Sequence, residues 1–361
     1  MPVIRVGSRK SPLALVQTHF VCDSLKECFP ELSFEVIAMT TTGDEILDVA
    51  LSKLGEKNLF TRELEQSLLN YDVDFVVHSL KDLPTQLPDN LVIGAVCRRD
   101  DPRDAVVMRS DLTFTSLAEL PAGSVVGTSS LRRGAQLARK YPELTIKDVR
   151  GNLQTRFRKL DEDKGFDCLV LAAAGLERMK WTDRISELLP PTDCMYAVAQ
   201  GAMAVECRHD DERTIALLSA MHDRDTVLRV IAERALLRQL EGGCSVPVAV
   251  HTEVSNIALS ITAGVFSIGG AQGIIDNMAT SLDSQASNHA TGLPPVHAGV
   301  VAMKIPESDL LAAEKLGVDL ATKMLAEGAR EVLVETKAKM AAEVHAEQAR
   351  RKAKKQQQQP A

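Results

Sequence analysis

The stretch that decides the fold is residues 124–172, SVVGTSSLRRGAQLARKYPELTIKDVRGNLQTRFRKLDEDKGFDCLVLA. Short apolar runs, which predict strands, alternate in it with longer segments of helical pattern. The predicted strands cover residues 124–127, 145–149 and 168–172, and the predicted helices cover residues 130–140 and 152–161. Alternation at this spacing is typical of α/β domains with largely parallel sheets. Ligands of such domains bind where strands end and helices begin.

The same alternation is present in the residues that precede this stretch. Strands are predicted over residues 3–7, 34–39, 74–78, 91–97 and 105–108, and helices over residues 11–29 and 61–70. Ser11 followed by Pro12 is typical of a helix start, and it marks the beginning of the first helix. Because the series resumes in two similar blocks, we predict two α/β domains that face each other across a cleft.

The pattern changes after residue 210. Helices are predicted over residues 212–222, 226–240 and 307–326, and antiparallel strands over residues 246–251 and 258–265. Residues 267–299 are rich in Gly, Ser and Asn and are predicted to form a long insertion. We therefore predict a smaller α+β third domain. The predicted division is residues 1–99 with 199–222, residues 100–198, residues 223–336, and a tail over 337–361 that frays from helix into disorder.

Composition and charge exclude some classes of protein. The chain has 361 residues, of which 45% are hydrophobic and 4% aromatic, so it has material for several cores and few stacking platforms for bases. Its net charge is −7, and because the tail over 337–361 carries +5, the rest of the chain carries −12. Such a body is not a general nucleic-acid binder. A cluster of arginines within it indicates an anionic ligand.

Cysteine usage and the amino-terminus bear on the compartment. The seven cysteines are odd in number and form no CxxC pair, which argues against a zinc ribbon and favours reduced thiols. The sequence has no apolar run of transmembrane length and no secretory or transit pattern at its start. We predict a cytoplasmic protein with no membrane partner.

Arginines and hydroxyl residues recur where strands end or helices begin. The residues that share this placement are Arg9, Arg132, Arg133, Arg150, Arg156, Thr128, Ser129 and Ser130. Helix amino-termini attract anions, and guanidinium groups bind carboxylates through two hydrogen bonds. The set predicts a site for a ligand with many carboxylates or phosphates. The alternative is that each arginine forms an ordinary surface ion pair. No GxxxxGK[ST] sequence is present, which excludes a P-loop.

A predicted buried strand leads into HSLKDLP at residues 78–84. A carboxylate in this position, Asp82, can stabilise a cationic intermediate or carry a proton. Lys81 can pair with an anion, or form a Schiff base if its pKa is depressed. The alternative is a solvated turn with a local ion pair, and His78 is expected to be a structural histidine.

The segment LEGGCSVP at residues 240–247 places Cys244 directly after Gly242 and Gly243. An exposed thiol in a loop can act as a nucleophile or as an attachment point. A buried structural cysteine is the alternative.

These segments belong to a set of motifs that resembles the hydroxymethylbilane synthase (porphobilinogen deaminase) family. The motifs are VGSRKSPLALVQT at 6–18, VVHSLKDLPT at 76–85, VVGTSSLRRGAQL at 125–137, VRGNLQTR at 149–156, CMYAVAQGAMAVE at 194–206 and LEGGCSVPVA at 240–249. The fold that the resemblance implies is two periplasmic-binding-protein-like α/β domains around a cleft, with a smaller α+β third domain that carries the cofactor cysteine. Residues 267–299 resemble the insertion of animal forms of the family.

The resemblance implies a transferase of haem and porphyrin biosynthesis. Such an enzyme deaminates four porphobilinogen molecules, joins them head to tail on a covalent dipyrromethane cofactor, and releases hydroxymethylbilane by hydrolysis. Cys244 would carry the dipyrromethane through a thioether. Porphobilinogen and the growing polypyrrole would be its partners, and the protein would be a monomer that needs no metal and no nucleic acid.

The resemblance also assigns residues. Asp82, with Lys81, would be catalytic and would stabilise the cation that forms when porphobilinogen loses ammonia. The cofactor would be bound by Lys81, Asp82, Thr128, Ser129, Ser130, Arg132, Arg133, Arg156 and Gly243. The substrate would be bound by Arg9, Ser11, Gln17, Arg150, Arg156, Arg178 and Gln200. Phe60, in GEKNLF at 55–60, would belong to a lid over residues 40–60.

Three other functions stay open on the residues alone. A cleft between α/β domains also suits a solute-binding protein, against which the Gly-Gly-Cys segment and the absence of a signal sequence count. Cys244 with His251 suggests a hydrolase, although their spacing gives this pairing no support. Lys81 suggests a Schiff-base enzyme, which borohydride trapping with a carbonyl substrate would reveal.

Overall fold

The computed structural model describes residues 3–45, 59–240, 246–283 and 295–357. Within these residues the chain forms sheets of seven, five and three strands. The mixed α/β architecture with a separate, smaller carboxyl-terminal unit, predicted from the sequence, is confirmed. No helix in the described part of the chain has the length and apolar character needed to cross a bilayer.

The strands and helices follow the predicted alternation closely. The strands are β1 (Val3–Arg9), β2 (Ser33–Met39), β3 (Phe75–Ser79), β4 (Leu91–Val96), β5 (Asp104–Met108), β6 (Val125–Gly127), β7 (Thr145–Lys147), β8 (Cys168–Ala172), β9 (Glu187–Leu188), β10 (Met203–Arg208), β11 (Val248–Val254), β12 (Ala258–Phe266), β13 (Gly273–Ser281), β14 (Val296–His297) and β15 (Val300–Val301). The helices are α1 (Pro12–Cys28), α2 (Thr42–Glu45), α3 (Arg62–Leu69), α4 (Leu131–Lys140), α5 (Leu153–Asp161), α6 (Ala173–Arg178), α7 (Glu212–Leu218), α8 (Arg224–Gln239), α9 (Glu307–Met324) and α10 (Arg330–Gln357).

The first sheet has the strand order β14–β15–β4–β10–β3–β1–β2, and the second has the order β7–β6–β8–β5–β9. In the first sheet β1 is parallel to β3, so the carboxyl ends of both strands lie at one edge. In the second sheet β6 is likewise parallel to β7 and β8. The segments predicted to bind the ligand follow these carboxyl ends.

Both large sheets are mixed, whereas the sequence predicts largely parallel ones. Strand β10 is antiparallel to β3 and β4, and strand β5 is antiparallel to β8 and β9. The reason is that the chain crosses from the first sheet to the second over residues 97–103 and returns over residues 189–202. The strand after each crossing therefore enters its new sheet against the main strand direction.

The third sheet, β11–β12–β13, is antiparallel and packs against α8 and α9. Strand β13 corrects the prediction that residues 267–299 form an insertion, because its nine residues pair along all of β12. Ile274 and Met278, on one face of β13, pack on the core, whereas the exposed face carries Asn277, Ala279 and Ser281, small or polar residues of the kind that also form loops.

Two further differences concern the last third of the chain. Strands β14 and β15 join the first sheet, since β15 pairs with β4, although they lie within the range predicted for the third domain. The predicted division into domains otherwise stays a prediction. Helix α10 continues to Gln357, where the sequence predicts a segment that frays into disorder. Its Ala, Lys, Arg, Glu and Gln residues are strong helix formers, which accounts for the difference.

Candidate active site

The first part of the site lies at the carboxyl ends of β1 and β3. A cavity of about 70 Å³ opens there. It brings together five residues that the sequence predicts for the site, namely Arg9, Ser11, Gln17, Phe60 and Asp82. Ser11 caps α1 by accepting a hydrogen bond from the Ala14 N–H at 3.4 Å, so the strand end and the helix start share this edge.

Contacts around the cavity fix its side chains. The guanidinium of Arg9 pairs with Asp44, donates from Nε to Asp44 Oδ2 at 3.3 Å, and lies 4.3 Å from the centre of the Phe60 ring. Gln17 is buried and donates from Nε2 to the Ser79 Oγ at 2.9 Å. The Arg9 guanidinium lowers the pKa of Asp44, although burial opposes this. The carboxylate therefore stays charged and holds Arg9 at the cavity wall.

Lys81 and Asp82 lie on a single 3₁₀ turn, Leu80–Asp82, directly after β3. The turn is anchored by Leu80 and Leu83, both buried, while the Asp82 side chain is exposed and lines the cavity. Lys81 is half-buried, and protein packed around its ammonium group lowers its pKa to about 8. Asp82 opposes that lowering, whereas Arg133 and Arg132 reinforce it.

The second part of the site is built on a carboxylate that the sequence analysis missed. Asp104, at the start of β5, is fully buried and binds Arg132 Nη1 and Arg133 Nη2, each at 2.7 Å. Gln200 donates to Asp104 Oδ1 at 2.8 Å. Burial acts to raise the pKa of Asp104, but the two guanidinium groups outweigh it and hold the pKa well below its usual range. Asp104 precedes an apolar run, and only the fold reveals its partners.

Asp104 changes what the two arginines offer a ligand. The sequence predicts Arg132 and Arg133 to bind an anion directly, yet both are buried and share one carboxylate. Arg132 also donates to the Met195 carbonyl at 2.5 Å, and Arg133 to the Val170 carbonyl at 3.1 Å. The Nε of each is buried and has no hydrogen-bond partner among the described residues. Two positive charges share one negative charge, so the group keeps an excess of +1.

The hydroxyl residues after β6 are engaged locally. Ser130 caps α4 by accepting from the Arg133 N–H at 3.4 Å, and Thr128 Oγ1 accepts from the Ser130 N–H at 3.2 Å. Ser129 donates to the Val149 carbonyl, which ties the end of β6 to the segment after β7. These contacts hold the backbone of the strand end in place.

Arg156 and Arg150 complete the positive side. Arg156 donates from Nε to the Gly151 carbonyl at 2.9 Å, and Arg150 pairs with Asp148 at 2.6 Å. Burial, together with the nearby charges of Arg133 and Arg150, lowers the pKa of Arg156 to about 10, and Asp82 is among the carboxylates that oppose this. Asp82 thus both lines the cavity of the first part and interacts electrostatically with Arg156.

We call five residues the cationic cluster: Lys81, Arg132, Arg133, Arg150 and Arg156. The carboxylates that interact with them include those of Asp82, Asp104 and Asp148. Five positively charged side chains are thus gathered in one region of a protein whose overall charge is negative. Burial is the main cause of the lowered pKa of Lys81 and of Arg156, and the neighbouring arginines add to it. A polyanion is the ligand that this arrangement favours.

Some of the predicted residues bind other groups of the protein, and some lie outside the described part of the chain. Arg178 donates to Asp100 Oδ2 at 2.8 Å and to the Gly201 carbonyl at 2.6 Å. Gln200 is buried against Asp104. Residues 241–245, which include Gly243 and Cys244, lie outside the described residues. His78 is buried and its Nε2 lies 3.0 Å from Glu206 Oε2, so the expectation of a structural histidine is confirmed.

Comparison with known proteins gives a consistent result. A family model described as porphobilinogen deaminase, dipyromethane cofactor binding domain, matches residues 4–216, and one described as porphobilinogen deaminase, C-terminal domain, matches residues 227–292. A curated relative named porphobilinogen deaminase, from Synechococcus elongatus, is 47% identical over 332 residues, which cover 92% of this chain and 95% of the relative. One from Gloeobacter violaceus is 54% identical over 252 residues, which cover 70% and 76%.

Solved structures give weaker likenesses. The periplasmic VFT2 domain of Bordetella pertussis BvgS is 15% identical, with a TM-score of 0.36, and the match covers 60% of this chain and 85% of that one. The periplasmic aliphatic sulphonate binding protein SsuA from Escherichia coli is 12% identical, with a TM-score of 0.36, and the match covers 67% and 71%. TM-scores this low carry no conclusion about this chain.

The family models and the relatives agree with the motifs over the same residues. The predicted likeness of residues 267–299 to animal forms of the family stays a prediction. The first family model alone spans more than half of the chain, from the strand that ends at Arg9 to helix α7. The chain therefore belongs to the porphobilinogen deaminase family.

Proposed function

We propose that the protein is a transferase that deaminates four porphobilinogen molecules, joins them head to tail on a covalently bound dipyrromethane, and releases hydroxymethylbilane by hydrolysis. This reaction belongs to the biosynthesis of haem and other tetrapyrroles. Family membership supports the proposal. The observation that carries it is the exposed Asp82 carboxylate, which lines the Arg9 cavity and interacts electrostatically with Lys81 and Arg156 of the cationic cluster.

The donor groups of the site fit a dipyrromethane. Each pyrrole of that group bears two carboxylates, and the cationic cluster gathers five positively charged side chains, two of which have a buried Nε–H donor without a partner among the described residues. Lys81, Arg132, Arg133 and Arg156 would hold the carboxylates, together with Thr128, Ser129, Ser130 and Gly243. When bound through Cys244, the dipyrromethane supplies the pyrrole carbon to which substrate units are added.

The substrate carries two carboxylates and an amine. Arg9 and Ser11 at the cavity would bind its carboxylates, together with Arg150 and Arg156 of the cationic cluster. Arg178 and Gln200 would line the cleft. The hydrogen bond of Arg178 to Asp100 and that of Gln200 to Asp104 hold the two side chains in place there. Gln17 lines the cavity beside Ser79.

Asp82 is proposed to act on the reacting ring, with Lys81 beside it. Loss of ammonia leaves positive charge on the pyrrole nitrogen, and a fixed carboxylate near that N–H stabilises the cation. The same oxygen atoms can give a proton to the leaving amine and later accept the ring proton.

The mass of the intact protein tests the function. We expect one dipyrromethane on the purified protein, mapped to the peptide that contains Cys244. A Cys244→Ser variant should lack it, whereas Cys28→Ser, which removes an exposed thiol elsewhere, should keep it. A thioether at another cysteine would refute the attachment site. If the protein is purified unmodified, porphobilinogen is added, and a mass that stays unchanged would contradict the proposal.

Replacement of Asp82 tests the catalytic role. We expect Asp82→Asn to keep the bound dipyrromethane and to lose roughly 10²- to 10³-fold in turnover, as when one charge-stabilising group is removed. Asp89→Asn, which changes an exposed carboxylate seven residues further on, is the matched control and should turn over normally. Normal turnover by Asp82→Asn would rule out this role for Asp82.

Phe60 is proposed to belong to a lid over residues 40–60 that excludes water during the reaction. The described end of this segment supports the idea, because Phe60 lines the cavity and contacts Arg9. Residues 46–58 lie outside the described residues. Amide hydrogen exchange over residues 40–60 should slow when an enzyme–pyrrole intermediate accumulates, and unchanged exchange would contradict the lid.

We further propose that the protein acts in the cytoplasm, as a monomer, without a metal ion. All six cysteines within the described residues are free thiols, which supports a reducing compartment. Size-exclusion chromatography with light scattering tests the monomer, for which a mass near 39.2 kDa is expected. Turnover unaffected by a strong chelator is the expected result for the metal.

A further inference from the structure

Arg234, on α8, is a fully buried arginine that donates hydrogen bonds to several backbone carbonyls. Its Nε donates to the Ala298 carbonyl at 2.9 Å, and its Nη2 donates to the Pro84 carbonyl at 2.9 Å. Longer contacts reach the Leu83 carbonyl at 3.4 Å and the Thr85 carbonyl at 3.5 Å. One guanidinium therefore binds three consecutive carbonyls of the segment that follows Asp82.

The turn that carries Asp82 is held from both ends. On its upstream side the Leu80 N–H donates to the Ala202 carbonyl at 3.0 Å. On its downstream side Leu83 is buried in the same core as α8, and its carbonyl is one of the Arg234 contacts. The Asp82 side chain between these anchors is exposed. Its position is therefore set by the backbone of the turn and by what holds that backbone.

A second contact of Arg234 extends this frame to the hairpin of β14 and β15. Ala298 accepts from Arg234, and the next residue, Gly299, has a φ of +88° and would place a Cβ 3.2 Å from Arg234 Nη2. Gly299 in turn accepts from the Ile93 N–H of β4 at 2.9 Å. Arg234 thus joins α8, the turn after β3 and the edge of the first sheet at one point.

We infer that Arg234 is a positioning residue for the reaction, one that fixes the turn of Lys81 and Asp82 against helix α8. The inference rests on the proposed role of Asp82. Charge-assisted bonds to backbone carbonyls are short and directional, and the planar guanidinium offers donors in a rigid fork that a lysine does not reproduce. Helix α8 ends at Gln239, five residues before Cys244 in the sequence. The same helix therefore leads to the residue proposed to carry the dipyrromethane.

The test uses the dipyrromethane-loaded enzyme and two substitutions. Arg234→Lys keeps the buried charge and part of the donor set, and Arg234→Met removes both. We expect Arg234→Lys to lower kcat at least tenfold with KM for porphobilinogen changed less than twofold, since small misplacements of a reacting group cost on the order of 10²-fold. Its intact mass should show full loading. Arg234→Met should lower kcat further, and if it fails to fold, Arg234→Lys alone decides.

Arg208 provides the matched control. It is a buried arginine at the end of β10 in the first sheet. Its guanidinium donates to the carbonyls of Leu68 and Val73, at 3.0 and 2.7 Å. Arg208→Lys makes the same chemical change without touching the turn, and we expect its kcat to stay within twofold of the unchanged enzyme. An Arg234→Lys enzyme with unchanged kcat, or with a loss matched by Arg208→Lys, would overturn the inference.

A double-mutant cycle shows whether Arg234 acts through Asp82. If it does, Arg234→Lys should cost less than twofold in kcat when Asp82 is already Asn, although it costs at least tenfold alone. Multiplicative losses would overturn the inference, since they describe a general structural role. The proposed function is tested separately, because normal turnover by Asp82→Asn alone would reject the role of Asp82 whatever Arg234→Lys does.

Discussion

At the scale of single residues, the site depends on how its cations are grouped. Arg132 and Arg133 share the buried carboxylate of Asp104, and Asp82 interacts with both Lys81 and Arg156. Cations held close together in a partly buried place lower the pKa of one another and attract an anion. The strand-end arginines were predictable from sequence spacing. Asp104 was not, because a lone Asp before an apolar run gives no sign of its partners.

Replacement of Asp104 should destabilise the protein. In Asp104→Asn the guanidinium groups of Arg132 and Arg133 lose their carboxylate, and a broken buried ion pair costs roughly 3–5 kcal/mol in the free energy of unfolding. Asp101→Asn is the matched control. It breaks the more exposed pair with Arg103, for which about 1 kcal/mol or less is expected. Urea unfolding at pH 7 measures both, and equal losses would contradict the prediction.

The stabilising contribution of Asp104 should depend on pH in a direction that follows from the sign of its pKa shift. The pKa of Asp104 is lowered in the folded protein, so its contribution is complete above the ordinary Asp pKa of about 3.9 and is lost as the pH falls below it. We expect the stability difference between the original protein and Asp104→Asn to be constant from pH 5 to pH 8. A difference that shrinks within that range would contradict the assignment.

Lys81 predicts a second pH effect, on loading. Its ammonium is charged below about pH 8 and neutral above, and only the charged form binds carboxylates. We expect loading of the apoprotein by porphobilinogen to slow as the pH rises. The Lys81→Arg variant stays charged over this range and serves as the control for every other effect of pH on loading. The ratio of the loading rate of the original protein to that of Lys81→Arg should therefore fall roughly tenfold between pH 7 and pH 9. Mass spectrometry of timed samples measures the ratio, and a constant ratio would contradict the role.

At the scale of elements, close packing of helices decides what the sequence pattern leaves open. Helices α8 and α9 were predicted from their helical patterns, but their contact depends on one glycine. A Cβ at Gly317 of α9 would lie 2.1 Å from the Ala232 carbonyl oxygen and 2.8 Å from the Leu236 nitrogen, both on α8. The sequence shows a glycine within a helix, and only the packed pair shows why it is there.

Two helix glycines should respond in opposite ways to alanine. Gly317→Ala forces α8 and α9 apart, and overpacking of this kind costs roughly 1–3 kcal/mol in the free energy of unfolding. Gly134→Ala in α4 meets only an ordinary contact, 3.6 Å from Ile146 Cγ2, and should stabilise by about 0.5–1 kcal/mol. Thermal unfolding of both variants checks the prediction, which fails if the two shifts have the same sign.

At the scale of the whole molecule, the two chain crossings and the third unit bring the parts of the site together. The crossing over residues 97–103 is held at Arg99, which pairs with the buried Glu233 of α8 at 2.6 Å. Glu233 also accepts from the Ala199 N–H of the return crossing at 2.7 Å. One buried carboxylate on the third unit therefore fastens both connections between the sheets. No sequence pattern predicts that Glu233 contacts both crossings.

The end of α10 should be dispensable. Among the described side chains of α10, Thr336 is the last buried one, and those described beyond it are exposed or half-buried. Deletion of residues 338–361 removes the exposed ion pair of Lys339 with Glu335, and we expect it to change the free energy of unfolding by less than about 0.5 kcal/mol. Turnover should be unchanged.

A longer deletion is the control for this prediction. Deletion of residues 330–361 also removes the buried Val332 and Leu333, each of which contributes about 1.5–3 kcal/mol. It should therefore lower the unfolding midpoint strongly. Equal midpoints for the two truncated proteins would contradict the assignment of Thr336 as the boundary.

The sequence by itself determined the order of strands and helices, the placement of arginines at strand ends, and the motifs that define the family. These are local properties, because periodicity, capping and motif spacing act over a few residues. The tertiary structure alone decided that β5 and β10 run antiparallel, that β14 and β15 join the first sheet, and that Asp104 and Arg234 hold the site. Each of these depends on residues far apart in the chain, whose contacts exist only once the whole molecule has folded.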